Sequence, residues 1–482
     1  MSPIVEKFLT SVKDDIKISF YDVLGTQVHN IMLIEEGIVD PQDGSIILAE
    51  LQKIKEEILA GTIEYDLTYE DIHPLIEDRV INMVGIEIGG KLHSGRSRND
   101  QVVLDIKLKI RDDLIVIAKK LIYLGETLMD LARKNSIVIC PLYTHLQRAQ
   151  IGTFSHYFLA YIEELNRHLS RIWDCLIRVN SNPLGAGAVG GTSIPINRQR
   201  TTDLLGFDSI QLNSLDAVSS RDYTLELISI YAIIATFISR IAEDLVIWSS
   251  AEFKYITFDD AYSSVSSALP QKKNSDTAEL LRAKSSEIIG KAFGVFTMQK
   301  SLYSGYNRDF QQIKPQLWDS QEILSENLDI LIGILSSMEI HPEIMEQATK
   351  EGNLIALDIA EYLVLNNGIS FRMAHGIMGE IVQHNPQDLT NSEIIASVAK
   401  DKFDLDLAVP QVELEKYNDP VYCLASRKSL GNPSPDQQEY MIELFNRELE
   451  DFSRKFKEKA EFFQLCFKKV NDLINDFTKN LP

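Results

Sequence analysis

The sequence predicts an all-α protein organised around a bundle of long helices. Three stretches place apolar residues in alternating steps of four and three, the heptad spacing of helices that pack lengthwise against near-parallel partners. The chain has 482 residues, of which 45% are hydrophobic and 24% are charged. This is an ordinary globular composition, and the length is sufficient for two or three domains.

The first 96 residues have a mixed pattern that includes two amphipathic helices. We predict helices over 20–36 and 41–59, because apolar residues recur there at helical spacing and Gly37 and Gly61 mark the ends.

The motif SGRSRND follows in a segment interrupted by several glycines. It contains Arg98 and Asn99, and arginine side chains in such a loop can bind carboxylates in a bidentate manner. An ordinary loop ahead of a helix is the alternative interpretation.

Long helices are predicted over 101–134, 153–179 and 221–250. The first has an apolar seam at Ile110, Leu114, Ile117, Leu121, Leu124, Leu128 and Leu131. The second has its seam at Phe158, Ile162, Leu165, Leu169, Ile172, Leu176 and Val179. The third has its seam at Leu227, Tyr231, Ile234, Ile238, Ile241, Leu245 and Trp248. Three matched seams predict a long helical bundle.

The third helix is apolar almost all round between Leu227 and Ile238. This run is shorter than the about 20 residues that a membrane span requires. We therefore expect a central, fully buried helix, and apolar residues on two faces suggest contacts with other subunits.

Two polar loops lie between these helices. PLYTHLQRAQ contains Thr144 and His145, although a lone histidine is more often structural than functional. PLGAGAVGGTS has the glycine spacing of a dinucleotide fingerprint, but it follows a helix and Pro195 interrupts the helix that should come next. We reject a nucleotide site there.

The stretch SSVSSALPQKKNSDTAE, residues 263–279, combines hydroxyls, lysines and a helix start. A serine beside cations and the N-terminus of a helix suits chemistry on a carboxylate substrate. Taken alone, a solvated loop with a helix cap is the more ordinary interpretation.

The net charge and the cysteine content exclude some classes of function for this protein. The net charge of −22, from 70 acidic and 48 basic residues, argues against a general nucleic-acid or anionic-membrane surface. The four cysteines show no metal-ligand spacing and are too few for a disulfide scaffold, and no targeting signal is recognisable. We expect a cytoplasmic protein.

Six motifs together resemble one family. SGRSRNDQV, YTHLQRAQ, PLGAGAVGGT, NSLDAVSSRD, PQKKNSD and SGYNRDFQQIK stand in the order and approximate spacing of the argininosuccinate lyase and delta-crystallin family, within the fumarase and aspartase superfamily. The resemblance implies three helical domains, predicted at 1–97, 98–348 and 349–482, with the central bundle forming the core of a homotetramer. It also implies reversible cleavage of argininosuccinate into arginine and fumarate by β-elimination, without metal or cofactor.

The resemblance implies roles for individual residues. Ser266 matches the catalytic base, Lys272 and Asn274 match groups that stabilise the carbanion, His145 matches the proton donor to the leaving nitrogen, and Glu279 would orient that histidine. Substrate-binding positions are matched by Ser11, Asp15, Arg98, Asn99, Thr144, Arg221, Asn274, Tyr306, Gln311 and Lys314. Each site is expected to combine residues of three subunits.

The chain departs from the family pattern at two positions of the serine-rich loop and at its N-terminus. Val265 stands where glycine is usual before the loop serine, and Ser275 stands where proline is usual after the asparagine. The family's tryptophan- and glycine-rich N-terminal segment is absent. Beyond Pro433 an amphipathic tail is predicted as a helical hairpin or one long helix, packed on the third domain.

Two rival functions remain open at this point. One is a different fumarate-releasing C–N lyase acting on another N-substituted aspartate, which would differ near Tyr306 and Lys314. The other is a non-catalytic, crystallin-like homologue, which would be expected to lose catalytic groups.

Overall fold

The computed structural model describes residues 2–479 and 481, and most of them lie in helices. The N-terminal helices are α1 (Pro3–Leu9), α2 (Val12–Asp15), α3 (Ser19–Glu35), α4 (Pro41–Ala60), α5 (Ile72–Val84) and α6 (Ile86–Gly89). The central helices are α7 (Arg98–Lys134), α8 (Phe154–Val179), α9 (Arg198–Leu205), α10 (Ser214–Ser219), α11 (Asp222–Ser249), α12 (Asp276–Gln299) and α13 (Ile313–Ser337). The remaining helices are α14 (Pro342–Lys350), α15 (Ala356–Asn367), α16 (Phe371–His384), α17 (Ser392–Phe403), α18 (Gln411–Glu415), α19 (Pro420–Ser426) and α20 (Pro435–Thr478).

Short strands connect some of these helices. In chain order they are β1 (Ile139–Thr144), β2 (Gln147–Thr153), β3 (Ser181–Asn182), β4 (Ser209–Ile210), β5 (Ile256–Thr257), β6 (Ser264–Val265), β7 (Lys273–Asn274) and β8 (Glu339–Ile340). They form four two-stranded pairs within the described chain: β1 with β2, β5 with β8 and β6 with β7 are antiparallel, and β3 with β4 is parallel.

Helices α7, α8, α11, α12 and α13 pack along their lengths into the predicted bundle. The seam residues Leu114, Leu121 and Leu128 of α7 are completely buried, as are their counterparts on α8. The helix boundaries follow the periodicity to within a few residues. The prediction of an all-α fold built on a central bundle is confirmed.

Helix α11 is less buried in the single chain than predicted. Its seam is buried, but Ile233 on another face is 42% exposed. By length and composition alone, this helix is also long and apolar enough to cross a membrane. It packs against α8, α12 and α13 as a core helix of the bundle.

The C-terminal part of the chain has a second hydrophobic core. It is formed by buried residues between Leu354 and Leu424, together with Ile151 of β2. Arg427 fastens this core to the hairpin of β1 and β2, because its guanidinium donates to the carbonyl of Ile151 and pairs with Asp358.

The predicted tail forms one helix, α20, but it does not pack on the C-terminal core as expected. It lies against α7, α8, α4 and α9. Phe456 and Phe463 belong to the core of the bundle, and the Arg111 guanidinium of α7 lies 3.9 Å from the centre of the Phe463 ring. The apolar stripe of α20 runs along a helix of 44 residues and is long enough to follow the bundle. The C-terminal core is too small to cover a stripe of that length.

We expect Phe456→Ala to lower the free energy of unfolding by about 3–5 kcal/mol, because the ring is completely buried and packs edge-on against Trp173. Phe462→Ala is the matched control, since that ring is 43% exposed on the same helix; its loss should cost under about 1 kcal/mol. Denaturant unfolding of both variants checks this. Equal, small losses would mean that α20 contributes little to the bundle.

Candidate active site

The N-terminus of α7 presents Arg98 and Asn99 at the start of the helix. Ser97 caps the helix by accepting from the backbone N–H of Asn99, and Asp100 accepts from the backbone N–H of Ser97 at 3.0 Å. This capping box starts the helix three residues before the predicted position. The free N–H groups of the first turn make this end of α7 attractive to anions.

The glycine-rich loop that resembles a nucleotide motif binds Asp100 of the protein itself. The Asp100 carboxylate accepts from the backbone N–H groups of Gly185 at 2.9 Å and Gly187 at 2.8 Å. Gly187 has φ +66°, and an added Cβ would lie 2.6 Å from the carbonyl oxygen of Gly191. Burial raises the pKa of Asp100 to about 6, although these N–H groups favour the carboxylate.

A cleft of about 390 Å³ opens beside this end of α7, and we call it the cationic cleft. It brings together Arg98, Asn99, Tyr306, Gln311 and Lys314, five of the predicted substrate-binding residues. The other lining residues are Glu70, Asp71, His73, His93, Arg96, Ser97, Val102 and Arg308.

Ser11 and Asp15 join the cleft through Lys314. The Ser11 hydroxyl donates to Asp15 at 2.7 Å, and the Lys314 ammonium donates to the other oxygen of the same carboxylate. All three side chains are buried. The backbone N–H of Ser11 donates to the carbonyl of Glu70, so the N-terminal segment is fixed along the edge of the cleft.

Arg221 lies buried behind the cleft, with its guanidinium 4.5 Å from the centre of the Phe310 ring. One of its nitrogens donates to the carbonyls of Val218 and Ser220. Its Nε and its second terminal nitrogen have no hydrogen-bond partner among the described residues. This arginine therefore retains donors that an anionic ligand could satisfy.

A buried ionic network that the sequence analysis did not identify supports the floor of the cleft. His73 contacts Asp71 at 2.9 Å and Asp105 at 3.0 Å, one with each ring nitrogen, and Asp71 also pairs with Arg98. Burial alone would lower the pKa of His73, but the carboxylates around it raise that pKa well above its ordinary value. The available signal was the acidic pair and histidine in YEDIH, residues 69–73, which span the start of α5.

Asp22, His73 and Asp105 each offer a ligand atom, and these atoms lie within 4.8 Å of one another. However, both nitrogens of His73 already face carboxylate oxygens at hydrogen-bonding distance. The geometry is that of an ionic network in which the charged imidazole of His73 occupies the position that a metal ion would otherwise take between the carboxylates.

Thr144 and His145 lie apart from the cleft, at the exposed tip of the hairpin formed by β1 and β2. We call this element the histidine hairpin. Thr144 pairs with Gln147, so His145 and Leu146 form a two-residue turn. Their positive φ values, 53° and 55°, are those of a type I′ turn.

Ser266 lies in a second short hairpin, in a segment for which a solvated loop is the more ordinary interpretation of the sequence. Ser264 pairs with Asn274 and Val265 pairs with Lys273, and we call residues 263–275 the serine loop. The hydroxyl oxygen of Ser266 accepts from the backbone N–H groups of Ala268 at 3.3 Å and Leu269 at 3.1 Å.

The two lysines of the loop differ in their contacts. Lys273 pairs with Asp260 at 2.7 Å, whereas Lys272 is exposed and has no ion pair in the part of the chain that the structure describes. Lys272, Asn274 and Glu279 line a separate cleft of about 830 Å³ at the start of α12. Lys272 is therefore the free cation of the loop.

The predicted residues thus form three groups, at the cationic cleft, at the tip of the histidine hairpin and at the serine loop. No hydrogen bond or ion pair joins one group to another within residues 2–479 and 481. One chain alone does not bring His145 and Ser266 to the cationic cleft.

Comparison with known proteins identifies the family. Residues 1–290 match a family model described as lyase, and residues 353–415 match one described as argininosuccinate lyase C-terminal. An argininosuccinate lyase of Nitrosopumilus maritimus is 42% identical over 100% of this chain and 97% of that protein. The chain belongs to the argininosuccinate lyase family.

Another argininosuccinate lyase and two solved structures are also similar to this chain. The argininosuccinate lyase of Alkaliphilus metalliredigens is 40% identical over 91% of this chain and 94% of its own length. A crystal structure of EDDS lyase in complex with formate has a TM-score of 0.88 at 26% identity, covering 96% of this chain and 92% of the other. A class II fumarase from Schistosoma mansoni shares the fold, with a TM-score of 0.70 at 15% identity over 84% of this chain and 90% of that one.

Within this family the departure at Val265 lies on the surface of the serine loop, where the side chain is 70% exposed. We expect Val265→Gly to raise turnover if loop closure limits the rate, because glycine removes the stiffness of a β-branched residue, with no gain in stability. Steady-state rates and thermal unfolding of the variant check this. A lower rate would show that Val265 packs in the closed loop.

Proposed function

We propose that the protein cleaves argininosuccinate reversibly into arginine and fumarate by β-elimination. The observation that carries this proposal is the cationic cleft, in which Arg98, Asn99 and Lys314 meet the N-terminus of α7 in a member of the argininosuccinate lyase family. Guanidinium, ammonium and helix N–H groups suit a substrate rich in carboxylates. Tyr306 and Gln311 add hydrogen-bonding groups to the same cleft.

The chemical difficulty is the weakly acidic proton on the carbon next to a carboxylate. Its removal leaves charge on that carboxylate, which preorganised cations and amides stabilise. We assign this role to Lys272 and Asn274. The exposed ammonium of Lys272 supports the assignment, since it makes no ion pair with a residue that the structure describes.

Ser266 is the proposed base. Two backbone N–H groups point at its hydroxyl oxygen, and hydrogen bonds to the charged form of a group favour that form. The same contacts would therefore stabilise an alkoxide once the loop closes and excludes water.

His145 is the proposed donor of a proton to the leaving guanidino nitrogen, oriented by Glu279. Its exposed position at a hairpin tip leaves both ring nitrogens accessible. An imidazole suits this transfer because its ordinary pKa lies near neutrality.

We further propose a homotetramer in which each site takes Asn99, His145 and Ser266 from three different subunits. The separation of the three groups in one chain supports this. So do apolar side chains that remain exposed on the central bundle, including Ile233 of α11 and Phe293 of α12, which is 72% exposed. Packing of such faces between chains would bury them.

A cytoplasmic location is proposed as well. It is supported by the four cysteines, which are buried and free of disulfide bonds in the structure. Reduced, buried thiols are typical of proteins in a reducing compartment.

Fumarate absorbance tests the activity. Purified protein should form fumarate on addition of argininosuccinate and not from adenylosuccinate or aspartate. Fumarate released from adenylosuccinate or aspartate instead would favour a different C–N lyase. No fumarate from any of the three would favour a crystallin-like structural role.

A further inference from the structure

The turn that carries His145 is strained. His145 and Leu146 both have left-handed backbone angles, which glycine adopts far more readily than either residue does and which a bulky residue such as leucine rarely adopts. Each such residue costs on the order of 1 kcal/mol and persists only where the surroundings hold it. The histidine hairpin must therefore be held near its tip.

Two side chains hold it, and they lie opposite each other. Tyr143 of β1 pairs in register with Arg148 of β2, at a bulge that leaves Ala149 unpaired. The Tyr143 hydroxyl lies 2.5 Å from the hydroxyl of Tyr255, and its ring lies 5.5 Å from that of Phe253. On the other strand Arg148 pairs with Glu351 at 3.4 Å, but this ion pair is open to solvent, with side chains 35% and 54% exposed.

Of these two anchors, the tyrosine pair is the stronger. Tyr255 is only 3% exposed, and both polar groups of its backbone are hydrogen-bonded. Its N–H donates to the carbonyl of Trp248 at 2.8 Å, and its carbonyl accepts from the backbone N–H of His341 at 2.9 Å. A hydroxyl bond to such a rigid partner fixes the strand two residues from His145. An exposed ion pair contributes little by comparison.

We propose that Tyr143 and Tyr255 form a hydroxyl clamp that sets the position of His145, so that both act as positioning residues in the reaction. This rests on the proposed function, in which His145 transfers a proton. Neither tyrosine lines the cationic cleft. Loss of the clamp should therefore act on the chemical step more than on substrate binding.

Three variants test the clamp: Tyr143→Phe, Tyr255→Phe and the double variant. Each single change removes the same hydroxyl bond, so each should lower kcat for argininosuccinate by about tenfold with KM within about twofold. The double variant should be no slower than either single one, because nothing of the bond is left to remove. Unfolding measurements should show the double variant at least as stable as Tyr143→Phe, which leaves the Tyr255 hydroxyl buried without a partner.

Tyr157→Phe is the matched control. The Tyr157 hydroxyl also bonds the hairpin, but farther from its tip, at the carbonyl of Pro141, four residues before His145, at 3.3 Å. This variant should keep kcat within about twofold of the unmodified protein. An equal loss of kcat in Tyr157→Phe would reduce the clamp to general support of the fold and overturn the proposal.

Mixed tetramers separate an effect on the hairpin from an effect on the serine loop, which follows Tyr255 in the chain. Mixed with Ser266→Ala in equal amounts, Tyr143→Phe should give about a quarter of normal activity, because sites that take histidine from the Ser266→Ala chain have an intact clamp. Mixed with His145→Asn, it should give only about a twentieth, because every active site then uses an altered hairpin.

The reverse order of activities would mean that the tyrosines act through the serine loop, and unchanged kcat in all three variants would remove them from the reaction. The proposed function fails separately, if the unmodified protein forms no fumarate from argininosuccinate. The shared-site arrangement also fails separately, if His145→Asn and Ser266→Ala do not complement each other.

Discussion

Ser266→Ala should lower turnover of argininosuccinate by about 10²- to 10⁴-fold, the range typical for loss of a positioned general base. The half-buried hydroxyl accepts two hydrogen bonds within its own loop and contributes little to the core. Folding and assembly should therefore be unchanged. Fumarate release measures the rate, and thermal unfolding with native mass spectrometry checks the fold and the oligomer.

Neighbouring serines supply the controls. The Ser263 hydroxyl donates to the carbonyl of Asp259 at 2.9 Å, and the Ser264 hydroxyl donates to Asp276 at 2.5 Å. Ser263→Ala and Ser264→Ala should retain far more activity, because these hydroxyls already serve local structure. Near-normal turnover in Ser266→Ala would remove that residue from the role of base.

His145→Asn and Ser266→Ala should each be inactive alone and should rescue each other when refolded together. A site works only if its histidine comes from the serine variant and its serine from the histidine variant. Random assortment in equal amounts gives about a quarter of sites with both groups intact. Fumarate release from the mixture, compared with each parent, measures the rescue.

Exchange of subunits must be verified independently for this result to be interpreted. Native mass spectrometry distinguishes mixed oligomers from the parent forms if one variant is isotopically labelled. Mixed tetramers that stay as inactive as their parents would contradict a site shared between subunits. Activity near one quarter would support it and would also assign His145 and Ser266 to different chains within each site.

The sequence predicted the helices well because their signals are local. Apolar side chains that recur at helical spacing define the buried face of α7, α8 and α11, and caps such as Ser97 define where a helix begins. Five of the polar residues that line the cationic cleft also occur in short motifs that the sequence analysis singled out: Arg98, Asn99, Tyr306, Gln311 and Lys314. The sequence did not point to Asp71 and His73, which lie in a segment that reads mainly as the start of a helix.

The sequence by itself determined the all-α class, the central bundle and the polar segments that carry the chemistry, because spacing of three and four residues fixes which side chains share a helix face. Only the tertiary structure decided which distant segments meet. Lys314 binds Asp15 across 299 positions, α20 packs on the bundle, and Tyr143 bonds Tyr255 beneath the strained turn of His145. Such contacts depend on the fit between whole surfaces. Because the residues that meet are far apart in the sequence, they produce no local periodicity from which the contact could be predicted.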